Sequence, residues 1–135
     1  MDFSSINWLA VVACVVASMV IGFIWYNPKV FFNTWWKGIG KSEKDQPSPN
    51  PMIWVYTFIA SAVEAIFVSL LLTTMGSNTL AAGLQAGFMI WLGFVAPTNL
   101  VNHLFAGRSW TVFLIEAGNH LAYLLAAGAI LAVWR

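Results

Sequence analysis

Apolar residues run in four long stretches, at about 6–26, 52–75, 80–105 and 110–134, with short polar segments between them. Each stretch reaches the roughly 20 residues that an α-helix needs to cross a hydrocarbon core of about 30 Å. None alternates apolar and polar residues with the period of two that a membrane barrel strand requires. In lipid the backbone must satisfy its hydrogen bonds within the segment, so a long apolar stretch implies a helix. The expected fold is therefore all-α: a single transmembrane domain, residues 1–135, forming a polytopic bundle of four transmembrane helices. The first stretch is read as a span and not as a leader, because Met1-Asp2 opens the chain with no basic residue ahead of the apolar run.

Composition strengthens this reading. The chain is 60% hydrophobic and 8% charged, whereas a soluble domain carries about 25% charged residues to keep its surface hydrated. Lipid must replace water over most of this surface. The charges gather between the apolar stretches. Residues 27–51 hold Lys29, Lys37, Lys41, Glu43, Lys44 and Asp45 and end in Pro47-Ser48-Pro49-Asn50-Pro51. Those prolines cannot continue a helix, and Pro51 suits the first turn of the next one. The second link, Gly76-Ser77-Asn78-Thr79, is uncharged, and the third, Ala106-Gly107-Arg108-Ser109, carries one arginine.

With four spans both termini lie on one side with the second link. The first and third links lie on the other side, together with most of the positive charge. The positive-inside rule then places residues 27–51 in the cytoplasm and both termini outside, as expected for a bacterial plasma (inner) membrane. Trp25, Tyr26, Trp35, Trp36, Trp54, Trp110 and Trp134 stand where interfacial aromatic belts form. Trp35 and Trp36 also fit a short amphipathic helix on the membrane surface. A net charge of +1 without a basic stripe argues against nucleic acid. The lone Cys14 cannot form an internal disulfide and reads as a packing residue.

Small residues recur every fourth position at Cys14, Ser18 and Gly22, and again at Gly83 and Gly87. Such ridges let helices approach closely in lipid, either within one protomer or between subunits. At about 100° per residue, Gln85, Asn99 and His103 share one face of the third span, opposite Gly83 and Gly87. The expectation is that the polar face turns inward and the glycine ridge outward. The chain would then be a homo-oligomer or a subunit of a larger membrane complex, with the lipid bilayer as its other partner. Pro97 removes a hydrogen bond to Gly93 and should bend this span.

Ionisable groups within a bilayer are costly and mark the interior of a bundle. The candidates are Glu64, His103, Glu116 and His120, with Gln85, Asn99, Asn102, Asn119 and Tyr123 as polar companions. Glu116, His120 and Tyr123 share one face of the fourth span, at about 9, 15 and 20 Å from its start, and Thr57, Ser61 and Glu64 share one face of the second. This arrangement fits a structural network, or a binding or conduction site in which carboxylates change protonation and imidazoles relay protons. A metal site would draw on Glu64, His103, Glu116 and His120. No nucleophile elbow, phosphate loop or Cys-x-x-Cys is present. No catalytic residue or cofactor is therefore assigned. The sequence favours a binding, transport or accessory role, with a membrane-embedded metal-dependent or redox enzyme as the alternative.

The first span ends in Gly22-Phe23-Ile24-Trp25-Tyr26-Asn27-Pro28-Lys29-Val30-Phe31, followed by Trp35. This segment resembles the Gly-x-x-Trp-Tyr-x-Pro-x-x-Phe signature of the bacterial family catalogued as domain of unknown function 1761. The similarity continues through Trp91-Leu92-Gly93-Phe94, Leu104-Phe105-x-Gly107-Arg108 and the closing Gly128-Ala129-Ile130-Leu131-Ala132-Val133-Trp134, essentially the whole chain. The resemblance implies small membrane proteins of about four helices and brings no activity. Physically, Gly22, Trp25, Tyr26, Pro28, Phe31 and Trp35 read as an exit device that anchors the helix end and turns the chain back along the membrane.

Overall fold

The computed structural model describes the whole chain, Met1–Arg135. Six α-helices follow a short 3-10 turn: α1 (Trp8–Trp25), α2 (Phe32–Gly38), α3 (Met52–Thr74), α4 (Leu80–Ile90), α5 (Ala96–Phe105) and α6 (Trp110–Val133). A π-helical segment, Trp91–Val95, joins α4 to α5, so Leu80–Phe105 forms one continuous rod. That rod, α1, α3 and α6 are the four helices long and apolar enough to cross a membrane.

Local chemistry sets the ends. Asn7, Thr79 and Ser109 each stand before a span and accept hydrogen bonds from its first free amides. The second and third spans stop at Gly76 (φ 66°) and Gly107 (φ 70°), in the left-handed conformation that glycine adopts without strain. In both turns the following amide reaches back to close the helix, Ser77 N to Leu72 O and Arg108 N to His103 O, each at 2.9 Å. The second of these turns folds Arg108 back over the end of α5.

Helix α6 is the hub and packs against α1, α3 and α4. Its seam with α4 is the closest. Gly83 and Gly87 lie directly against the backbone of Gly128 and Leu124, and a Cβ built on Gly83 would stand 2.6 Å from the Ala132 Cβ. At the opposite end α2 folds back onto α6, where Gly38 meets Val112. Phe94, Leu104 and Phe105 point outward, as residues facing lipid should.

The glycine ridge thus lies inside the protomer and does not face outward, while Gln85 is exposed. The expected arrangement of this span is inverted over α4. The cause is the π segment, whose wider turn advances less per residue than an α turn. Across its five residues the faces shift by roughly a quarter turn, so Gln85 and the pair Asn99 and His103 no longer align. Close glycine packing then decides which face of α4 is buried.

The interior is unequal along its length. The main apolar cluster contains Ala10 and Cys14 of α1, Ala65, Val68 and Leu72 of α3, Ala86 of α4, and Leu124, Ala127 and Leu131 of α6. All of these lie toward the end that carries the termini and the second link. There Arg135 hydrogen-bonds Thr73 Oγ1 at 2.8 Å and also the Ser77 carbonyl. The other end gathers the first and third links with His103, Arg108 and Glu116.

Candidate functional site

Glu116, in the second turn of α6, is the centre of the polar end. Its Oε1 accepts a hydrogen bond of 2.8 Å from the Trp35 indole Nε1 on α2. Its Oε2 lies 2.8 Å from His103 Nε2 on α5, close but not aligned as a linear hydrogen bond. Arg108, held over the α5 terminus by the Gly107 turn, approaches Oε1 to 3.7 Å. One carboxylate therefore ties together α2, α5, α6 and the third link.

The proton on His103 can be placed. Its Nδ1 lies 2.7 Å from the Asn99 carbonyl oxygen, which can only accept, so Nδ1 carries the hydrogen. His103 is only 4% exposed, and the edge of its ring meets Phe113 at 5.8 Å.

Two further indoles brace α6 around Glu116. Trp25 Nε1 donates to the Ile115 carbonyl and Trp91 Nε1 to the Ala117 carbonyl, both at 2.8 Å. The Trp25 ring lies over Gly118, where a Cβ would come within 2.9 Å of it. Trp25 also packs against Phe31, and Tyr26 meets Trp35 edge-on with centroids 5.0 Å apart. The Gly22–Trp35 segment is thus more than an interfacial exit device. It wraps the start of α6 and delivers a donor to Glu116. Beside it an open cavity of ≈ 440 Å³ is bounded by Trp25, Phe31, Thr34 and Ile115, among others. In the link beyond, Ser42 bonds Asp45 through both its amide and its hydroxyl, which holds the Asp45 carboxyl below its usual value.

Deeper in the bundle, the Tyr123 hydroxyl donates to the Ser61 carbonyl at 2.9 Å, and the Ser18 and Ser61 hydroxyls share a hydrogen bond of 2.8 Å. Beyond Tyr123 the buried residues of α6 are apolar or glycine. His120, between the two layers, and Glu64, one turn past Ser61, are half-buried, and neither makes a hydrogen bond or ion pair. Asn99 Nδ2 and Asn119 Oδ1 are buried without partners.

The structure therefore joins His103 and Glu116 and leaves other candidates apart. Asn102 and Gln85 are exposed on the outer surface of the third span. No three histidine, cysteine or carboxylate side chains converge with metal-binding geometry. Glu64, on α3, stands apart from His103 and Glu116, and no three of Glu64, His103, Glu116 and His120 converge in this structure. Trp35 and Arg108 are site contacts that sequence reasoning takes only for an interface anchor and a topogenic charge. The signal for them in the sequence is their place in the two segments that carry the family resemblance, Gly22–Trp35 and Leu104–Arg108.

The chain matches the family described as "Protein of unknown function (DUF1761)" over residues 9–132. It belongs to that family. No curated protein and no solved structure matches it.

Proposed function

We propose that the protein is a membrane binding or accessory component that presents a polar vestibule on one side of the bilayer. A single protomer does not form a pore. One observation supports this reading: the ionisable contacts of the spans, His103 and Arg108 with Glu116, lie at one end of the bundle, and the main close-packed apolar cluster lies toward the other. A through-path would need polar groups across the whole thickness, because each unsatisfied charge in hydrocarbon is expensive. Here the stripe on α6 ends at Tyr123, and Leu124, Ala127 and Leu131 continue it as apolar core. The vestibule opens at the end with the lysine-rich first link, which by charge bias is the cytoplasmic side of a plasma membrane, with both termini outside.

Sided thiol labelling tests this. A His120→Cys variant in a Cys14→Ala background is reconstituted in vesicles, with Lys41→Cys and Arg135→Cys as markers of the two faces. An impermeant maleimide should modify position 120 only from the face that labels position 41. Labelling from the face of position 135 would overturn the reading.

A further inference from the structure

A cavity of ≈ 830 Å³ lies between α2 and the residues that follow it, with Lys37, Lys41, Glu43 and Asp45 in its wall. Hydrogen bonds hold its shape. Gly40 (φ 87°) reverses the chain after α2, the Lys41 amide donates to the Trp36 carbonyl at 3.1 Å, and the Trp36 indole donates to the Ser42 carbonyl at 2.9 Å. Phe32 and Trp36 stack with centroids 5.4 Å apart and form the apolar part of the wall. Asp45 is engaged by Ser42, whereas the exposed side chains of Lys37, Lys41 and Glu43 make no hydrogen bond or ion pair. Opposite charges thus share one cavity without pairing. Thr34 lines this cavity and also the open one of ≈ 440 Å³ bounded by Trp25, Phe31 and Leu114, so the two adjoin. Leu114 is exposed and about 6 Å into α6. The apolar cavity therefore lies at the edge of the hydrocarbon region, and the charged one lies beside it in the first link.

We propose that the two cavities together bind one phospholipid with a phosphoethanolamine headgroup. The pairing of a charged cavity with an apolar one selects the class, a molecule with a polar head and a hydrocarbon tail. The balance of charge selects the head. Two lysines face two carboxylates across the wall, so a purely anionic headgroup would meet Glu43 as a like charge, whereas a zwitterion satisfies both signs. Lys37 and Lys41 donate to the phosphate, and Glu43 accepts from the primary ammonium, which carries three N–H donors as a lysine does. A choline headgroup has the same charges but no N–H to donate. The tail lies against Val30, Phe31 and Leu114, contacts that soluble phosphoethanolamine lacks. The proposal uses neither Glu116 nor the sidedness of the vestibule, so it stands or falls independently of that reading.

The test is native mass spectrometry of the purified full-length chain in mild detergent, titrated separately with phosphatidylethanolamine, phosphatidylcholine and phosphatidylglycerol of the same acyl chains. The parent should hold one phosphatidylethanolamine about fivefold more tightly than either other lipid. The double variant Lys37→Gln, Lys41→Gln should weaken that binding by about fivefold. Glu43→Gln should abolish the preference over phosphatidylglycerol. Lys44→Gln makes the same charge change outside the cavity wall and should bind like the parent. None of these side chains makes a hydrogen bond, so the variants should keep the parental far-ultraviolet spectrum and elution volume. Equal binding of the three lipids by the parent, or the parental preference in either cavity variant, overturns the proposal. Soluble phosphoethanolamine at the concentration of the lipid should not displace it, and displacement would overturn a lipid as the occupant.

Discussion

Replacing Gly87 with alanine tests the packing that closes one half of the bundle. Within a helix this exchange ordinarily stabilises by about 0.5–1 kcal/mol, because glycine loses more freedom on folding. Here the new methyl would overlap the Leu124 carbonyl oxygen and lie 2.9 Å from its carbon. Both are backbone atoms and cannot rotate away, so α4 must move off α6. A gap of about 0.5–1 Å forfeits a quarter to a half of each dispersion contact, worth about 0.1–0.2 kcal/mol apiece. Over about 40 atom pairs along such a seam the loss is on the order of 2 kcal/mol. After the entropic gain, a net destabilisation of about 1–2 kcal/mol is expected, within the usual range for overpacking. Reversible unfolding in mixed micelles, followed by tryptophan emission, measures it. Gly22→Ala is the control, since a methyl added there meets no atom within 4 Å, and it should be neutral or stabilising by up to about 1 kcal/mol. Parental stability of Gly87→Ala would refute the close α4–α6 seam.

Trp35→Phe keeps a ring against Tyr26 but removes the donor to Glu116, and should cost about 1 kcal/mol in the same unfolding assay, given the partial exposure of the site. Glu116→Gln should cost about 1–3 kcal/mol, because it leaves the buried His103 without its carboxylate. The double variant should cost less than the sum of the two, and strict additivity would show that the Trp35–Glu116 bond contributes nothing. A reporter active only in the cytoplasm, fused after Arg135, should be silent, and activity would invert the proposed orientation. Liposomes containing the purified chain should show no proton or potassium flux above empty vesicles.

The four spans are legible in the sequence because lipid imposes the same demand on every residue of a span, so length and apolarity suffice. The pairing of His103 with Glu116 is legible in part, since both stand at the same end of the bundle on adjacent spans. A wheel of constant pitch misplaces Gln85, because it cannot anticipate the π segment at Trp91–Val95. It turns Gly83 and Gly87 outward for the same reason. Trp35 illustrates a different limit. An aromatic near a span end fits an interfacial belt so well that nothing in its surroundings reveals a specific acceptor. Arg108 reads in the sequence only as a charge, whereas the left-handed turn at Gly107 sets its position over His103.

The proposed vestibule rests on the placement of Glu116 and its partners at one end of the bundle and of the main apolar cluster toward the other. Amide hydrogen exchange along α6, read by mass spectrometry on the chain in nanodiscs, tests it within a single helix. Peptides covering residues 113–120, around Glu116, should exchange faster than those covering 123–130, where Leu124, Ala127 and Gly128 are sealed against α4 and the core. Equal protection along the helix, or faster exchange in 123–130, would contradict the account.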